Sequence, residues 1–571
     1  MRPLSSFALG LGLLVAAAPA QQVRIPGPIL RDTPKSLLQK FDASVGQAQN
    51  LLLPRRVPQT FVMRVYLGKR TWALDLYKHD MRAPNFKAYA FDGQLREIAA
   101  TPTTTFRGQV RGAHNSNVAA SIVDGQLSAM IVIDDKTWNV EPVTNVDPKA
   151  DPSLHVALDT SSIRLRGVSC GTKPLNVNAQ VRGGNNVGPA ALKLAEIGID
   201  CDIDYYVKYG SSTTNVQNQV NRVMNAVDVI YKRDVTITYL ITTIIVRTSR
   251  VYSGSISSRL GQFRSRWNSY HYNIKRDLAH LFTGQGNFSG VIGVAYLRVV
   301  CDLNNAYGTS KAFSSSTTTN AGLVSHECGH NWAAGHCDSC GNDCKIMCSG
   351  LGGCGRSITS FGTCSKNVIV PFKNSRSCLS NPSPPSLTSA TPATVPALNG
   401  GTITLNGANL DTITTVHYGT KNLTKFLIVS SSKVTFDAGT ATALGRVTIQ
   451  VSNGQGRSNG VSVNVTETKP PRIQTNTFGF ATFPHTWTFG GPPASAWLFV
   501  LSPNATTFKY GPYHILTNLI PIMSGPTNGA GIGGLTIPIP KSAQGLRVWS
   551  QAAFVNSAAV SATNIASVVF L

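Results

Sequence analysis

The chain has 571 residues and a formal net charge of +24, from 51 Lys and Arg against 27 Asp and Glu. Such a length exceeds what one hydrophobic core holds and predicts roughly three to five domains. The basic residues are scattered, with no Lys or Arg block interleaved with aromatic residues, which argues against nucleic-acid binding. Two interpretations of the charge stay open: contact with an anionic surface, a polysaccharide or an acidic substrate, or a basic exterior without a binding role.

The first 20 residues have the pattern of a secretory signal peptide. Arg2 precedes an apolar stretch at 7–18, and Ala18-Pro19-Ala20 forms a small-residue cleavage site before Gln21. No later segment reaches ~18 uninterrupted apolar residues, the length that a membrane-spanning helix needs. We therefore expect a secreted, extracellular protein without a membrane span.

Residues 21–187 and 188–380 differ in periodicity. The first segment shows short alternating stretches such as Thr60–Leu67, which are typical of strands. The second shows a helical apolar stripe at 216–230, an apolar run at 235–246, a helical stretch at 256–270 and a strand-like run at 290–301. These patterns predict a β-rich segment followed by an α/β domain.

A run of eleven residues, His-Glu-Cys-Gly-His-Asn-Trp-Ala-Ala-Gly-His at 326–336, predicts a metal site. On a helix, His326 and His330 lie on one face and can share a metal. Glu327 stands next to the first ligand, and His336 supplies a third nitrogen beyond the helix. Three ligands and one open position describe a catalytic zinc site. The alternative, a helix with core histidines, is disfavoured by the intervening Glu and the third His.

The eleven cysteines all lie between Cys170 and Cys378. In an exported protein, the ten from Cys201 onward predict up to five disulfides. A second, Cys-ligated zinc among the cysteines at 337–364 is the alternative, which oxidising export makes the weaker one. Cys170 is the odd cysteine and is expected to be free.

Beyond 380 the sequence predicts only strands. A Pro- and Ser-rich linker at 381–387 is followed by two-residue periodicity at 388–467, which indicates a small β-sandwich. Residues 470–571 contain no Asp or Glu and indicate a further β-domain of unknown role. Trp487, Trp497 and Trp549 could line a ligand face there, but core packing is the favoured interpretation.

The zinc run, with Met347 downstream, resembles the metzincin metallopeptidases, and Cys344-Lys-Ile-Met347 with Ser360-Phe-Gly-Thr-Cys364 is similar to their adamalysin/reprolysin branch. The stretches at 105–112 and 118–125 resemble that branch's prosegment, and 388–467 resembles the IPT/TIG immunoglobulin-like domains. The resemblance implies a latent precursor, or zymogen, with Met347 in a Met-turn beneath the metal. It also implies that Cys170 binds the metal in the latent form as a cysteine switch.

The chain departs from the family pattern at Ala333, where relatives place a glycine that turns the chain out of the helix. Because glycine adopts positive φ at little cost, we expect Gly335 to make a shifted turn instead.

These observations predict a secreted zinc endopeptidase that acts on protein or peptide substrates, with Glu327 as general base. Around 293–295 an edge strand is expected to pair with extended substrate. Two alternatives remain. The first is a catalytically impaired binding or adhesion protein that uses the C-terminal β-domains, and the second is a zinc hydrolase of non-protein amides such as cell-wall material.

Overall fold

The computed structural model describes residues 25–570 except for a set of short stretches. These are residues 55–56, 114, 173–190, 285–289, 355–356, 399, 454, 468–471, 475–477, 480–483, 491–495, 504, 506, 511–512, 517–519, 529, 531, 540, 545 and 556–559. The predicted signal peptide therefore lies outside the described residues. Within those residues, no helix combines the length and apolar character needed to cross a bilayer.

The N-terminal region, residues 25–172, is almost entirely β. Its elements are β1 (Ile29–Arg31), α1 (Lys35–Gln39), β2 (Gly46–Asn50), β3 (Thr60–Leu67), β4 (Arg70–Lys78), β5 (Arg82–Phe91), β6 (Leu95–Ile98), β7 (Thr105–Val110), β8 (Ser116–Val123), β9 (Gln126–Ile133), β10 (Lys136–Pro142), β11 (Leu154–Asp159) and β12 (Ser169–Cys170). Nine of the described strands form an antiparallel sheet in the order β1-β2-β11-β10-β9-β8-β7-β4-β3.

The central strands of that sheet, β8 to β10, are buried on both faces. Val118 and Ile131 belong to a core within the N-terminal region, whereas the adjacent Ala119 and Met130 belong to the core that holds the helices described next. The alternation follows from the two-residue period of a strand, which sends successive side chains to opposite faces. The second face of these central strands therefore packs against the rest of the molecule, whereas alternate residues of the edge strand β3 are exposed or half-exposed.

The region from 191 to 380 is α/β, as predicted. Its elements are β13 (Lys193–Cys201), α2 (Ile203–Lys208), α3 (Thr213–Val235), β14 (Ile237–Arg247), α4 (Ile256–Tyr270), β15 (Leu278–Thr283), β16 (Val291–Ala295), β17 (Tyr307–Lys311), α5 (Thr317–Asn331) and α6 (Thr363–Asn374). Side chains of Ser212, Ser255 and Ser316 accept backbone N–H groups at the starts of α3, α4 and α5. Such N-caps satisfy donors that the helix itself leaves unpaired.

The sheet of this region includes strands from the N-terminal region. Its described order is β12-β16-β17-β15-β13-β14-β5-β6. Strand β5 pairs in parallel with β14, and β12 pairs in parallel with β16 at the opposite edge. The predicted division at residue 187 therefore does not separate two hydrophobic cores, because one buried cluster contains residues from both sides of it.

The predicted strand at 290–301 is shorter than expected. Strand β16 ends at Ala295, and Arg298 and Cys301 adopt positive φ angles of 63° and 75°. The backbone N–H groups of Arg298 and Val299 donate instead to the carbonyls of His330 and Asn331, at 2.9 and 3.0 Å. The second half of the run thus holds the C-terminal end of α5 rather than extending the sheet.

The cysteines form disulfides, as predicted, but one fewer than the upper limit of five. Among the described residues the cysteines form four, Cys301–Cys378, Cys337–Cys344, Cys340–Cys364 and Cys348–Cys354. Cys201 and Cys328 are free and fully buried. They fill core positions on β13 and α5 as small apolar side chains. Cys170 is free, as predicted.

The C-terminal residues form two further β-units. The first contains β18 (Ser386–Thr391), β19 (Thr394–Pro396), β20 (Thr402–Ala408), β21 (Thr415–Tyr418), β22 (Lys421–Leu423), β23 (Leu427–Ser430), β24 (Lys433–Asp437), β25 (Gly445–Asn453), β26 (Gly456–Arg457) and β27 (Val461–Thr466). Its two described sheets, β18-β20-β24-β23 and β19-β27-β25-β21-β22, enclose one core and form the predicted sandwich.

The last unit is also built from strands. These are β28 (Arg472–Gln474), β29 (Phe478–Gly479), β30 (Pro484–Gly490), β31 (Ala496–Ser502), β32 (Thr507–Tyr510), β33 (Tyr513–Leu516), β34 (Ile520–Pro526), β35 (Ile532–Pro538), β36 (Arg547–Val555), β37 (Val560–Ala562) and β38 (Ala566–Phe570). Trp487 and Trp497 are buried in its core, as predicted, and Trp549 is half-buried.

Candidate metal centre

His326, Glu327 and His330 lie on helix α5. All its residues from Thr317 to Asn331 are buried. The hydroxyl of Tyr231, on α3, donates to the carbonyl of Ser325 at 2.8 Å. A buried helix held by its neighbours fixes the direction of the side chains that it presents.

The turn after α5 brings His336 back to the other two histidines. Ala333 adopts a φ of 76°, and its N–H donates to the carbonyl of His330 at 2.9 Å. Gly335 has no positive φ, so the prediction that it makes the turn is wrong. Ala333 occupies the left-handed region itself, because the packing of α5 and the return of the chain over-determine its conformation.

The three imidazole rings meet at one point. Ring centroids lie 4.8 Å apart for His326 and His330, 4.8 Å for His330 and His336, and 5.4 Å for His326 and His336. The Nε2 atoms of His326 and His330 are 3.1 Å apart. Together with the Cys170 thiol, the four side chains place one ligand atom each within 4.8 Å of one another.

Backbone carbonyls set the orientation of two rings. Nδ1 of His326 lies 2.6 Å from the carbonyl of Ile346, and Nδ1 of His330 lies 2.7 Å from that of Ala334. Because a carbonyl only accepts, each Nδ1 carries the proton and each Nε2 presents a lone pair toward the other ring.

The donor set fits a metal cation. Two Nε2 lone pairs that face each other at 3.1 Å repel unless a positive centre lies between them. Nε2 of His336 is buried and has no hydrogen-bond partner among the described residues. Burial lowers the pKa of all three histidines, to about 4 for His326, so the rings are neutral as metal ligands must be. Three neutral nitrogens suit zinc.

Glu327 is fully buried beside this point. Its Oε2 accepts from the Cys170 thiol at 3.4 Å, and its Oε1 has no partner in the described part of the chain. Burial raises the pKa of the Glu327 carboxyl well above its ordinary value. A Cβ atom on Gly293 would lie 2.1 Å from Oε1, so glycine at that position of β16 makes room for the carboxylate. Sequence reasoning gave Gly293 no such role.

Met347 is fully buried behind α5. A Cβ atom on Gly329 would lie 2.5 Å from its sulfur, so the methionine packs directly against the helix between the two histidines. The preceding carbonyl, that of Ile346, holds His326. This turn therefore supports the histidine pair from below without supplying a ligand.

Residues 164–172, called the strap below, bring Cys170 into the site. Its sulfur lies 3.4 Å from Nε2 of His330, and burial beside Glu327 raises the pKa of the thiol. The strap is bound through its backbone by three N–H donors, Ser169 to Gly290, Cys170 to Ser349 and Gly171 to Gly293, at 2.9, 3.0 and 2.8 Å. The N–H of Ala295 also donates to the hydroxyl of Thr172 at 3.0 Å.

The strap thus lies along β16, where sequence analysis expected extended substrate. On the other side of the strap lies the carbonyl of Ser349, which accepts the N–H of Cys170. This role was not predicted from the sequence, although Ser349 is only two residues after Met347. The loop that carries it is closed by the Cys348–Cys354 disulfide. The carboxylate of Asp338 also accepts from the Ser349 hydroxyl at 2.8 Å. These cysteines are paired, so the alternative of a second, Cys-ligated zinc among them is not supported.

Comparison with known proteins assigns two regions of the chain. Residues 192–381 match the sequence profile of Metallo-peptidase family M12, the reprolysin type, and residues 385–466 match the IPT/TIG domain. Disintegrin and metalloproteinase domain-containing protein 9 of Homo sapiens is 24% identical over 317 residues, which cover 50% of this chain and 37% of that protein. This chain therefore spans well under half the length of that relative.

Among solved structures, metalloproteinase-II from Bacteroides fragilis is similar over 55% of this chain and 92% of that chain, with 11% identity and a TM-score of 0.34. The two profile matches confirm the resemblance predicted from the zinc run and the C-terminal strands. The chain contains a reprolysin-type M12 metallopeptidase domain followed by an IPT/TIG domain.

Proposed function

We propose that the protein is a secreted zinc-dependent metalloendopeptidase that is made as a latent precursor. The observation that carries the proposal is the convergence of three neutral histidine nitrogens beside a buried, partly unpartnered carboxylate. The family assignment of residues 192–381 supports peptide bonds as the target. The predicted signal peptide and the four disulfides support secretion.

His326, His330 and His336 would hold one zinc ion through Nε2. When bound, zinc supplies a Lewis acid that polarises a peptide carbonyl and lowers the pKa of water. Glu327 accepts the proton of the attacking water at its carboxylate and delivers it to the leaving amine nitrogen. Its burial favours this role, because burial raises the pKa of the carboxyl and so makes the carboxylate a stronger base.

The strap indicates how substrate is held. Its backbone pairs with Gly290 and Gly293 on one side and with Ser349 on the other. A substrate in an extended conformation can use the same main-chain groups, which give affinity with little dependence on sequence.

Latency is proposed to rest on Cys170. Its thiol stands within 3.4 Å of both the Glu327 carboxylate and the His330 nitrogen, so it occupies the space that the attacking water needs. Cleavage after the strap would allow it to leave. The sequence suggests a site after Arg182, in the Gly-rich stretch at 181–185, which lies outside the described residues.

The test measures zinc content and casein hydrolysis of the cleaved protein. We expect one zinc per chain, and hydrolysis that a chelator abolishes and added zinc restores. A protein that binds no zinc and cleaves no casein would contradict the proposal and favour the binding or adhesion alternative. Zinc binding with hydrolysis of cell-wall amides alone would favour the non-protein alternative.

A further inference from the structure

The N-terminal region is attached to the metallopeptidase domain in two very different ways. The strap lies in the cleft through a few backbone hydrogen bonds, and most of its residues are exposed or half-exposed. Residues 25–163 instead pack against the opposite side of the domain through a shared core and shared sheet. Cleavage between Thr172 and Ala191 would break the covalent link between the N-terminal region and the domain. The few hydrogen bonds of the strap are then much easier to break than the contact made by the shared core and sheet.

The shared core is extensive. One buried cluster contains ten apolar residues of the N-terminal region together with the helices α3 and α5 and the strands between them. The N-terminal members are Leu38, Phe41, Ala43, Met81, Ala119, Met130, Val143, Val156, Leu158 and Ile163. Removing the region would expose this surface to water, at a cost that grows with the apolar area.

Strand β14 would lose one of its two neighbours in the sheet. Residues from Thr243 to Arg247 pair in register with Lys87 to Phe91 of β5. The strand reads Ile-Thr-Tyr-Leu-Ile-Thr-Thr-Ile-Ile-Val-Arg, and all but two of its residues are buried. Without β5 it would become a long, apolar edge strand, which invites aggregation.

Buried polar groups also cross the contact. Arg107 donates to Asp228 of α3 at 2.7 Å, and their side chains are only 9% and 4% exposed. The side-chain amide of Asn225, also on α3, donates to the carbonyls of Phe106 and Ala120 at 3.1 and 3.0 Å. If the region departed, Asp228 would lose its cation and keep only its hydrogen bonds from Thr238 and Tyr239, and the Asn225 amide would lose both of these acceptors.

The same region holds the start of the histidine-bearing helix. Glu141 of β10 accepts the backbone N–H of Thr317 at 2.5 Å, and Asn139 donates to Ser316 at 2.9 Å and accepts from Thr318 at 2.6 Å. A carboxylate at a helix N-terminus also interacts favourably with the helix dipole. The first turn of α5 is therefore capped by both its own serine and the N-terminal region.

We propose that residues 25–163 remain bound after activation as a permanent non-covalent subunit of the peptidase, and that only the strap leaves the cleft. The inference rests on the proposed function, because it takes cleavage after the strap as the step that activates the peptidase. Its partner surface is the face formed by β14, α3 and the start of α5. The N-terminal region is then both the source of the inhibitor and a lasting part of the catalytic fold.

The experiment places a specific protease site between Thr172 and Ala191 of the full chain and cuts it. We expect the two fragments to elute together in size-exclusion chromatography without denaturant, and to separate only in denaturant. Separation under native conditions, with the larger fragment soluble and folded, would overturn the inference. Casein hydrolysis is measured in parallel. Co-elution supports the inference with or without hydrolysis, whereas hydrolysis by a separated larger fragment overturns it and supports the proposed function.

A matched pair of variants locates the contact. Arg107→Ala leaves Asp228 buried without its cation. Because breaking a buried ion pair is strongly destabilising, we expect the cut fragments of this variant to separate at least about a hundredfold faster than those of the parent. Arg111→Ala is the control, because Arg111 pairs with Asp75 inside the same sheet and its side chain is 59% exposed. Equal separation rates for the two variants would contradict the proposed surface. The cut parent decides the inference even if a variant does not fold.

Discussion

Replacing Cys170 with alanine in the uncleaved chain separates the two ways in which the strap blocks the cleft. The substitution removes the thiol that contacts Glu327 and His330. It keeps the four hydrogen bonds that join the strap to Gly290, Gly293, Ala295 and Ser349. At about 0.5–1.5 kcal/mol each, those bonds amount to about 2–6 kcal/mol. Even the lower value corresponds to a roughly thirtyfold preference for the bound strap, since about 1.4 kcal/mol is tenfold.

We therefore expect three levels of activity. The intact parent is silent, the intact Cys170→Ala chain is active, and the cleaved enzyme is at least tenfold faster than the intact variant. The assay follows hydrolysis of a quenched fluorescent peptide, and mass spectrometry at the end verifies that the precursors are still intact. Equal activity of the two intact chains would refute the thiol as the switch. An intact variant as active as the cleaved enzyme would refute the contribution of the backbone bonds.

Four other substitutions, one of them a control, test the site and its support. His336→Ala should lower zinc content sharply, because a pair of histidines lacks the third anchor, and unchanged zinc by elemental analysis would exclude His336 as a ligand. Ala333→Gly should stabilise the chain by about 1 kcal/mol in thermal unfolding, because glycine adopts its φ of 76° without strain, and a lower midpoint would contradict that. Arg107→Ala should destabilise by about 3–5 kcal/mol because it leaves the buried Asp228 carboxylate without its cation. Arg111→Ala should cost under about 1 kcal/mol, and similar denaturation midpoints for the two variants would show that burial of the ion pair does not matter here.

The sequence-based predictions that the structure confirms were those based on local periodicity. A four-residue spacing puts His326 and His330 on one helix face wherever the helix lies. Alternation identified the strands of the N-terminal and C-terminal regions, and the apolar stripe at 216–230 falls within α3. These features depend only on residues a few positions apart.

The features that the sequence did not predict depend on distant pairs. Nothing at 82–91 indicates that this strand joins β14, some 150 positions later, because any alternating strand can pair with any other. The cap that Glu141 gives to α5 is equally non-local. Alanine rarely adopts a positive φ, and packing imposes that conformation on Ala333. A rule based on single residues therefore assigned the turn to Gly335.

The central claim is that Glu327 is the general base of a zinc peptidase, and Glu327→Gln in the cleaved enzyme tests it most directly. Glutamine keeps the size and the hydrogen-bonding capacity of the side chain but cannot accept the proton of water. We expect casein hydrolysis to fall by at least about 10²-fold while zinc content stays at one per chain. Full activity of the Glu327→Gln enzyme, with zinc bound, would contradict the account.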